Sequence, residues 1–192
     1  MELSPRLYHW FVRPKLLTKL YINNVLQTSF DFSNKSVLDF GCGIGSSSSI
    51  FDPNLYLGID SDYNRVVYAK RLYPTHQFDV IDGKELPLNN CSFDYIVMVA
   101  VLHHISSGDI LKYLQQFKHA LKPFGRILVI EPCLIKSTHI SNSLMEFFDI
   151  GPYIRDQEGY EELFQTNNFR TTILKQFNRF FYNELFFSAT LN

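Results

Sequence analysis

The sequence predicts an α/β protein with a doubly wound, mainly parallel sheet of seven strands and helices on both faces. Two observations carry this prediction. Short apolar segments alternate with amphipathic segments along residues 36–130, which is the pattern of consecutive βαβ units. The predicted fourth and fifth strands, 93–102 and 126–130, are almost wholly apolar, as expected of parallel strands buried on both faces.

Local signals place the elements of the first half of the chain. The predicted strands are 36–40, 55–59 and 76–81. The predicted helices are 12–26, 46–51 and 62–73. The glycine-rich segment from Gly41 to Gly45 ends the first strand, and Asp62 is a predicted N-cap because its carboxylate can accept from the first helical amides.

The second half continues the alternation. A helix is predicted from the apolar stripe Ile110, Leu114, Phe117 and Leu121, and the segment Lys122-Pro123-Phe124-Gly125 ends it. Two further helices are predicted at 142–148 and 156–166. The last two strands are predicted at 171–177 and 185–191.

Composition supports one domain, 1–192, and excludes several classes of protein. Of the 192 residues, 46% are hydrophobic and 19% are charged, so the chain can build a core and is not expected to be disordered. A formal charge of −1 supplies no positive excess for a nucleic-acid backbone. The longest apolar run, 95–102, is far shorter than the roughly 20 residues of a membrane span. We therefore expect no nucleic acid partner and no membrane span.

The N-terminus and the cysteines favour a cytoplasmic protein. The first residues have neither a basic flank nor an apolar run, so no secretory signal is predicted. The three cysteines, Cys42, Cys91 and Cys133, lie far apart in sequence, which is typical neither of a disulfide framework nor of a zinc site. We expect a reducing compartment and no bound metal.

The predicted strand ends carry the candidate functional residues. In open α/β sheets, ligands bind beyond the carboxyl ends of the strands. The groups at the ends of the first five strands are Asp39, Asp60, Asp82, the pair His103 and His104, and Glu131. Because acids are costly to bury unpaired, acids clustered at one sheet edge predict a ligand rich in hydrogen-bond donors.

The glycine segment does not fit a dinucleotide fingerprint. A third glycine is expected at position 46, where the chain has Ser46. Asp39 would also repel a nearby phosphate, whereas it would attract a cationic ligand. A plain strand-to-helix turn remains an alternative for the glycines, and helix capping remains an alternative for Asp60.

Five segments together resemble the class I S-adenosylmethionine-dependent methyltransferases. The segments are 37–45, 58–60, 82–87 with 92–94, 101–105, and 121–125 with 130–132. The resemblance implies a Rossmann-like methyltransferase fold, S-adenosylmethionine as cofactor and S-adenosylhomocysteine as product. The chain departs from the usual pattern in a short first helix and in Phe124, where a second small residue is common.

The resemblance also implies roles for individual residues. Asp39 would complement the ammonium group of the cofactor, and Asp60 would hold the ribose hydroxyls. The full set of implied cofactor-binding residues is Asp39, Gly41, Cys42, Gly43, Asp60, Ser61, Asp82, Gly83 and Val99. Three carboxylates suit a positively charged sulfonium better than a pyrophosphate.

Methyl transfer to a hydroxyl requires alignment and a base. His103 and His104 are the candidate catalytic residues, because histidine titrates near neutral pH. His104 is preferred because its neighbour Ile105 is expected to be buried. The alternative is that one histidine caps the next segment and the other packs.

Aromatic residues outside the matching segments predict a small, partly apolar acceptor, and the alternative is that these residues simply cover the sheet. The candidate acceptor-binding residues are Tyr8, Trp10, Phe148, Tyr153 and Arg155. We divide the domain into a helical lid (1–30), a cofactor-binding core (36–132), substrate-side helices (133–168) and a strand pair (169–192). The expected function is methylation of a small molecule, with oxygen preferred as the acceptor atom. The alternatives are a catalytically silent subunit that binds a partner and an NAD-dependent oxidoreductase.

Overall fold

A computed structural model of the protein describes residues 22–82, 85–86, 88–135, 151–179 and 182–192, with the backbone alone at 178, 179 and 182. Contacts within the chain divide it into two units, Met1–Pro87 and Leu88–Asn192. The single domain and its four functional segments stay a prediction. Predicted features at 1–21, 83–84, 87, 136–150 and 180–181 lie outside the described residues.

The first unit is built on three parallel strands. The elements of its described residues are α1 (Asn24–Ser29), β1 (Val37–Phe40), a 3-10 helix (Ser48–Ile50), β2 (Tyr56–Asp60), α2 (Tyr63–Leu72) and β3 (Gln77–Val80). The middle strand β2 pairs in parallel with both β1 and β3. Apolar side chains from the three strands, among them Leu38, Ile59 and Phe78, are fully buried and form the core of this unit.

Helix α2 illustrates how local chemistry defines an element. The side chain of Asp62 accepts hydrogen bonds from the backbone amides of Asn64 and Arg65, so the predicted N-cap is confirmed. Lys70 and Arg71 lie in the last turn, where their positive charges are stabilised by the negative end of the helix dipole. The helix predicted at 46–51 is reduced to three residues in 3-10 conformation.

The second unit combines parallel and antiparallel pairing. Where the structure describes this unit, its elements are β4 (Phe93–Val99), a 3-10 helix (Leu102–His104), α3 (Ser107–Ala120), β5 (Leu121–Leu134), β6 (Arg155–Asp156), α4 (Gln157–Gln165), β7 (Phe169–Arg179) and β8 (Tyr182–Leu191). Strand β5 pairs in parallel with β4 and β6 and antiparallel with β8. Strand β8 also pairs antiparallel with β7.

Several strand boundaries in the second unit differ from the sequence prediction, among them the end of β4 and the start of β5. Strand β4 ends at Val99 and not at 102, because Ala100 adopts a positive φ of 51° and the chain turns into the 3-10 helix. Strand β5 begins at Leu121, directly after α3, so the predicted helix stripe was wrong at that residue. The remaining stripe residues, Ile110, Leu114 and Phe117, are buried as predicted.

The predicted fold class, α/β with a mainly parallel sheet flanked by helices, is confirmed. All seven predicted strands are present with shifted ends, and the short strand β6 is an addition. Among the described residues, no helix combines the length and the apolar character of a membrane span.

Candidate functional site

In the first unit, a turn of glycines follows β1. Gly41, Gly43 and Gly45 have positive φ angles of 73°, 55° and 75°, which residues with a Cβ rarely adopt. A Cβ at Gly45 would lie 2.8 Å from the Phe78 ring, so packing excludes a side chain there. A Cβ at Gly43 would have no heavy atom of the described chain within 4 Å, so the backbone of this glycine faces open space.

Asp60, at the end of β2, fixes this turn. Its Oδ2 accepts from the Gly43 amide at 2.7 Å, and its Oδ1 accepts from the Asp62 amide at 2.9 Å. The residue is 8% exposed. A carboxylate offers about four acceptor positions, so about two remain for a ligand. The sequence predicts Asp60 as a ligand-binding residue but does not reveal that it also closes the turn.

Asp39, on β1, is held by a residue that the sequence analysis did not select. The Tyr56 hydroxyl donates to Asp39 Oδ2 at 2.8 Å, and both residues are buried. Burial, and next the charge of Asp39, raise the pKa of Tyr56 well above its usual value, so the phenol stays the donor. In the sequence, Tyr56 is simply one more large residue of a strand, which is why the pattern did not single it out.

The remaining predicted cofactor residues differ in their surroundings. Burial, followed by the nearby charges of Asp39 and Asp60, raises the pKa of the Cys42 thiol, so it is neutral and unreactive. Ser61 and Asp82 are exposed, and Val99 is buried at the end of β4 in the second unit. Gly83 lies outside the described residues, as do the predicted acceptor residues Tyr8, Trp10 and Phe148.

In the second unit, one buried carboxylate organises the segment that follows β4. Glu131 is 0% exposed and accepts four hydrogen bonds from this segment. Its Oε1 accepts from the amides of Val101 and Leu102 at 2.6 and 2.8 Å. Its Oε2 accepts from the amide of His103 at 3.3 Å and lies 2.7 Å from His103 Nδ1. The acid that the sequence places at a strand end therefore holds the 101–103 segment through these hydrogen bonds, and we call it the clamp of this segment.

The two candidate catalytic histidines have different environments. Since the Glu131 carboxylate is an acceptor, Nδ1 of His103 carries a proton that it donates to Oε2. The His103 side chain is only 4% exposed. His104 is exposed and its ring lies against that of His103, with centroids 4.0 Å apart. Ile105 is half-buried.

Arg155, predicted to bind the acceptor, is engaged with the same segment. Its guanidinium donates to the carbonyls of Leu102, Ile105 and Tyr153 and to the hydroxyl of Ser107, at 2.8 to 3.1 Å. It also lies over the rings of Tyr153 and Tyr160, at 5.7 and 5.9 Å from their centroids. Tyr153 is 41% exposed, and its amide donates to the His103 carbonyl at 3.0 Å.

The packing around His103 leaves no room for change nearby. A Cβ at Gly151 would collide with the His103 ring. Glu131, Arg155 and Gly151 therefore hold the 3-10 helix and the ring of His103 in one arrangement. Among the described residues, no group of three or more His, Cys, Asp and Glu side chains could hold a metal ion.

A glycine turn after a parallel strand, with a carboxylate on that strand and another at the end of the next, is typical of the class of Rossmann-like proteins that bind an organic cofactor. Within this class, the family model described as a methyltransferase domain matches residues 14–174. The chain belongs to this family of methyltransferase domains, and the resemblance noted in the sequence is confirmed.

Individual relatives agree with the family. The tRNA (carboxymethyluridine(34)-5-O)-methyltransferase of Saccharomyces cerevisiae is 31% identical over 85 residues, which are 44% of this chain and 29% of that protein. A SAM-dependent methyltransferase from Aquifex aeolicus has the same fold, with a TM-score of 0.70, 18% identity and coverage of 98% of this chain and 99% of that chain. Phosphoethanolamine N-methyltransferase 2 of Haemonchus contortus, solved with S-adenosyl-L-methionine, gives a TM-score of 0.76 at 19% identity, over 97% of this chain and 56% of that chain. The chain spans less than half the length of the curated relatives it matches.

Proposed function

We propose that the protein transfers a methyl group from S-adenosylmethionine to a small-molecule acceptor, preferably to an oxygen atom, and releases S-adenosylhomocysteine. Membership of the methyltransferase domain family supports the transfer of a methyl group. The observation that carries the proposal for the cofactor is the pair of buried carboxylates, Asp39 and Asp60, beside the open backbone of Gly43.

The residues of the first unit fit such a cofactor. When bound, S-adenosylmethionine supplies a methyl group already activated on a positively charged sulfur. The carboxylate of Asp39 complements the ammonium group, since opposite charges attract strongly where burial limits screening by water. The two acceptor positions left on Asp60 match a pair of ribose hydroxyls. Gly41, Cys42 and Gly43 supply backbone that a ligand can approach closely.

The other residues complete the proposal. Asp82 and Gly83 would bind the adenine ring, with Ser61 beside the ribose and Val99 near the sulfonium. His104 is the proposed base for a hydroxyl acceptor because it is exposed, whereas His103 is buried and bound to Glu131. The residues proposed for the acceptor remain Tyr8, Trp10, Phe148, Tyr153 and Arg155.

A tRNA acceptor is the second candidate. The yeast relative is named as an O-methyltransferase of a tRNA uridine, which favours an oxygen acceptor and raises RNA as a substrate. Against RNA stands the formal charge of −1, which provides no general attraction for phosphates. We therefore keep the small molecule as the first candidate. Membership of the methyltransferase domain family disfavours the NAD-dependent oxidoreductase.

Calorimetric titration with S-adenosylhomocysteine tests the cofactor. We expect saturable binding at a single site, with no heat from NADH under the same conditions. An absence of binding to S-adenosylhomocysteine at millimolar concentration would refute the cofactor assignment. Binding of NADH alone would return the oxidoreductase to first place.

A second experiment separates the acceptors. The protein is incubated with methyl-labelled S-adenosylmethionine and either purified total tRNA or the low-molecular-weight fraction of a cell extract. Label in a new small molecule, separated from S-adenosylmethionine by chromatography, supports our first candidate, and label precipitated with tRNA and released by ribonuclease supports the second. Binding of the cofactor without transfer of label to a small molecule or to tRNA would favour the catalytically silent subunit.

A further inference from the structure

We propose that Tyr56 is a positioning residue that fixes the carboxylate of Asp39 and thereby sets the affinity for the amino-acid part of the cofactor. This inference rests on the proposed function, since it takes Asp39 as the partner of the cofactor's ammonium group. Neither the family match nor the sequence pattern assigns a role to Tyr56.

The contact between the two residues is short and shielded from water. The Tyr56 hydroxyl donates to Asp39 Oδ2 at 2.8 Å, and the two residues are 3% and 4% exposed. A hydrogen bond from a neutral donor to a carboxylate is stronger than one between two neutral groups. It fixes the rotation of the carboxylate about its Cβ–Cγ bond, and so the direction in which the charge faces a ligand.

The Tyr56 ring is itself held in place from several sides. It stacks on Phe51 with centroids 5.6 Å apart and an interplanar angle of 16°. Phe78 and His76 contact it edge-on, with centroids 5.5 and 5.3 Å away. A ring packed in this way cannot swing away from Asp39, so the hydrogen bond is prearranged before any ligand arrives.

The glycine at position 58 leaves the room that this arrangement needs. Gly58 lies opposite Asp39 in the register of β1 and β2. A Cβ at Gly58 would lie 2.8 Å from the Tyr56 hydroxyl oxygen and 2.6 Å from Cδ1 of Phe78. Any other residue at position 58 would therefore displace the hydroxyl or the ring beside it.

The hydrogen bond from Tyr56 orients the Asp39 carboxylate and does not neutralise its charge. Burial and the charge of Asp39 raise the pKa of Tyr56 well above its usual value, so the phenol remains protonated and neutral at physiological pH. The thiol of Cys42 is neutral as well. Neither of these two neighbouring side chains therefore neutralises the negative charge of Asp39.

The test compares two ligands that differ only in the amino-acid part. S-adenosylhomocysteine carries the ammonium group, whereas 5′-methylthioadenosine has the same adenosine and thioether without it. For Tyr56→Phe we expect the affinity for S-adenosylhomocysteine to fall about tenfold, as for loss of a hydrogen bond to a charged group. The affinity for 5′-methylthioadenosine should remain that of the wild type. Tyr63→Phe, at a tyrosine that is 67% exposed, is the matched control and should change neither.

A second variant tests whether Tyr56 acts through Asp39. In an Asp39→Asn background, Tyr56→Phe should cause no further loss of affinity for S-adenosylhomocysteine. Equal weakening of both ligands by Tyr56→Phe, or weakening of neither, would overturn the inference and leave the proposed function standing. Failure of the wild type to bind S-adenosylhomocysteine would instead remove the proposed function itself.

Discussion

Asp60 is the last residue of β2 in the first unit, and Glu131 lies within β5 in the second unit, three residues before the strand ends, whereas the sequence analysis places it after the strand. The oxygen atoms of the two carboxylates have different partners. Asp60 accepts two backbone amides, while Glu131 accepts four hydrogen bonds and is fully buried. Since a carboxylate has about four acceptor positions, Glu131 is saturated by its own chain and Asp60 is not. The number of internal donors thus separates a carboxylate that stabilises a turn from one that can also bind a ligand.

The largest expected effect comes from Glu131→Gln. The amide group would place N–H donors against the donors of the 101–103 segment and remove the charge opposite His103, so the free energy of unfolding should fall by about 3 kcal/mol. Chemical denaturation measures this change. The matched control is Glu162→Gln on an exposed helical position, which should change stability by less than about 0.5 kcal/mol. A loss as small as the control's would show that Glu131 is not the clamp of the segment.

Asp60→Asn should mainly weaken ligand binding, whereas Glu131→Gln should mainly lower stability. The asparagine can accept one of the two amides but adds donors that face the Gly43 turn, so we expect S-adenosylhomocysteine to bind about tenfold more weakly, or about 1.4 kcal/mol. Stability should fall by only about 1 kcal/mol. Asp52→Asn is the control, because Asp52 also accepts a backbone amide, from Asn54 at 2.9 Å, and has no proposed ligand. If affinity were unchanged while stability fell as in Glu131→Gln, the distinction between the two acids would collapse.

Arg155→Lys tests whether Arg155, like Glu131, stabilises the segment that follows β4. A lysine cannot reproduce a fork that donates to Leu102, Ile105 and Ser107 at once, so unfolding should become easier by about 1 to 2 kcal/mol. Thermal denaturation, compared with Arg170→Lys at an exposed position of β7, measures it. A change confined to acceptor turnover, with stability intact, would mean that Arg155 belongs to the acceptor site alone.

Cysteine alkylation should show the smallest effect on the fold and a clear difference between sites. Burial, followed by the charge of Asp156, raises the pKa of Cys133 to about 12, and burial raises that of Cys42, so both thiols stay protonated at pH 8. Only Cys91, which is exposed, should react with iodoacetamide in the folded protein, and mass spectrometry should find one adduct. In denaturant all three should react. Modification of Cys42 in the folded state at that pH would contradict the closed packing around Asp39.

The raised pKa values of Cys42 and Cys133 also predict the direction in which stability changes with pH. Because the folded state holds the protons of these two thiols more tightly than the unfolded state, their contribution to stability is complete below the ordinary thiol pKa of roughly 8.5. It is lost progressively as the pH rises toward the folded value, which is about 12 for Cys133.

The features that the sequence predicted are those with local causes. The glycine turn and the Asp62 cap depend on residues close together in sequence, so the sequence alone predicts them. The contact of Glu131 with His103 and that of Tyr56 with Asp39 join residues 28 and 17 positions apart. Only pairing of strands brings these partners together, and no spacing rule predicts them. The early end of β4 had no signal either, since alanine seldom adopts a positive φ.

Two glycines of the turn after β1, Gly43 and Gly45, are expected to be constrained in evolution for different reasons. A Cβ at position 45 would collide with the Phe78 ring, whereas a Cβ at position 43 would have no heavy atom of the described chain within 4 Å. Among descendants of this sequence, position 45 should accept a residue tolerant of positive φ, such as asparagine, only where position 78 has become smaller, so the two should covary. Position 43 should drift independently of its neighbours and only in lineages that have given up the ligand. The pattern of change at these two glycines would therefore record, in living sequences, which lineages kept the activity and which kept only the fold.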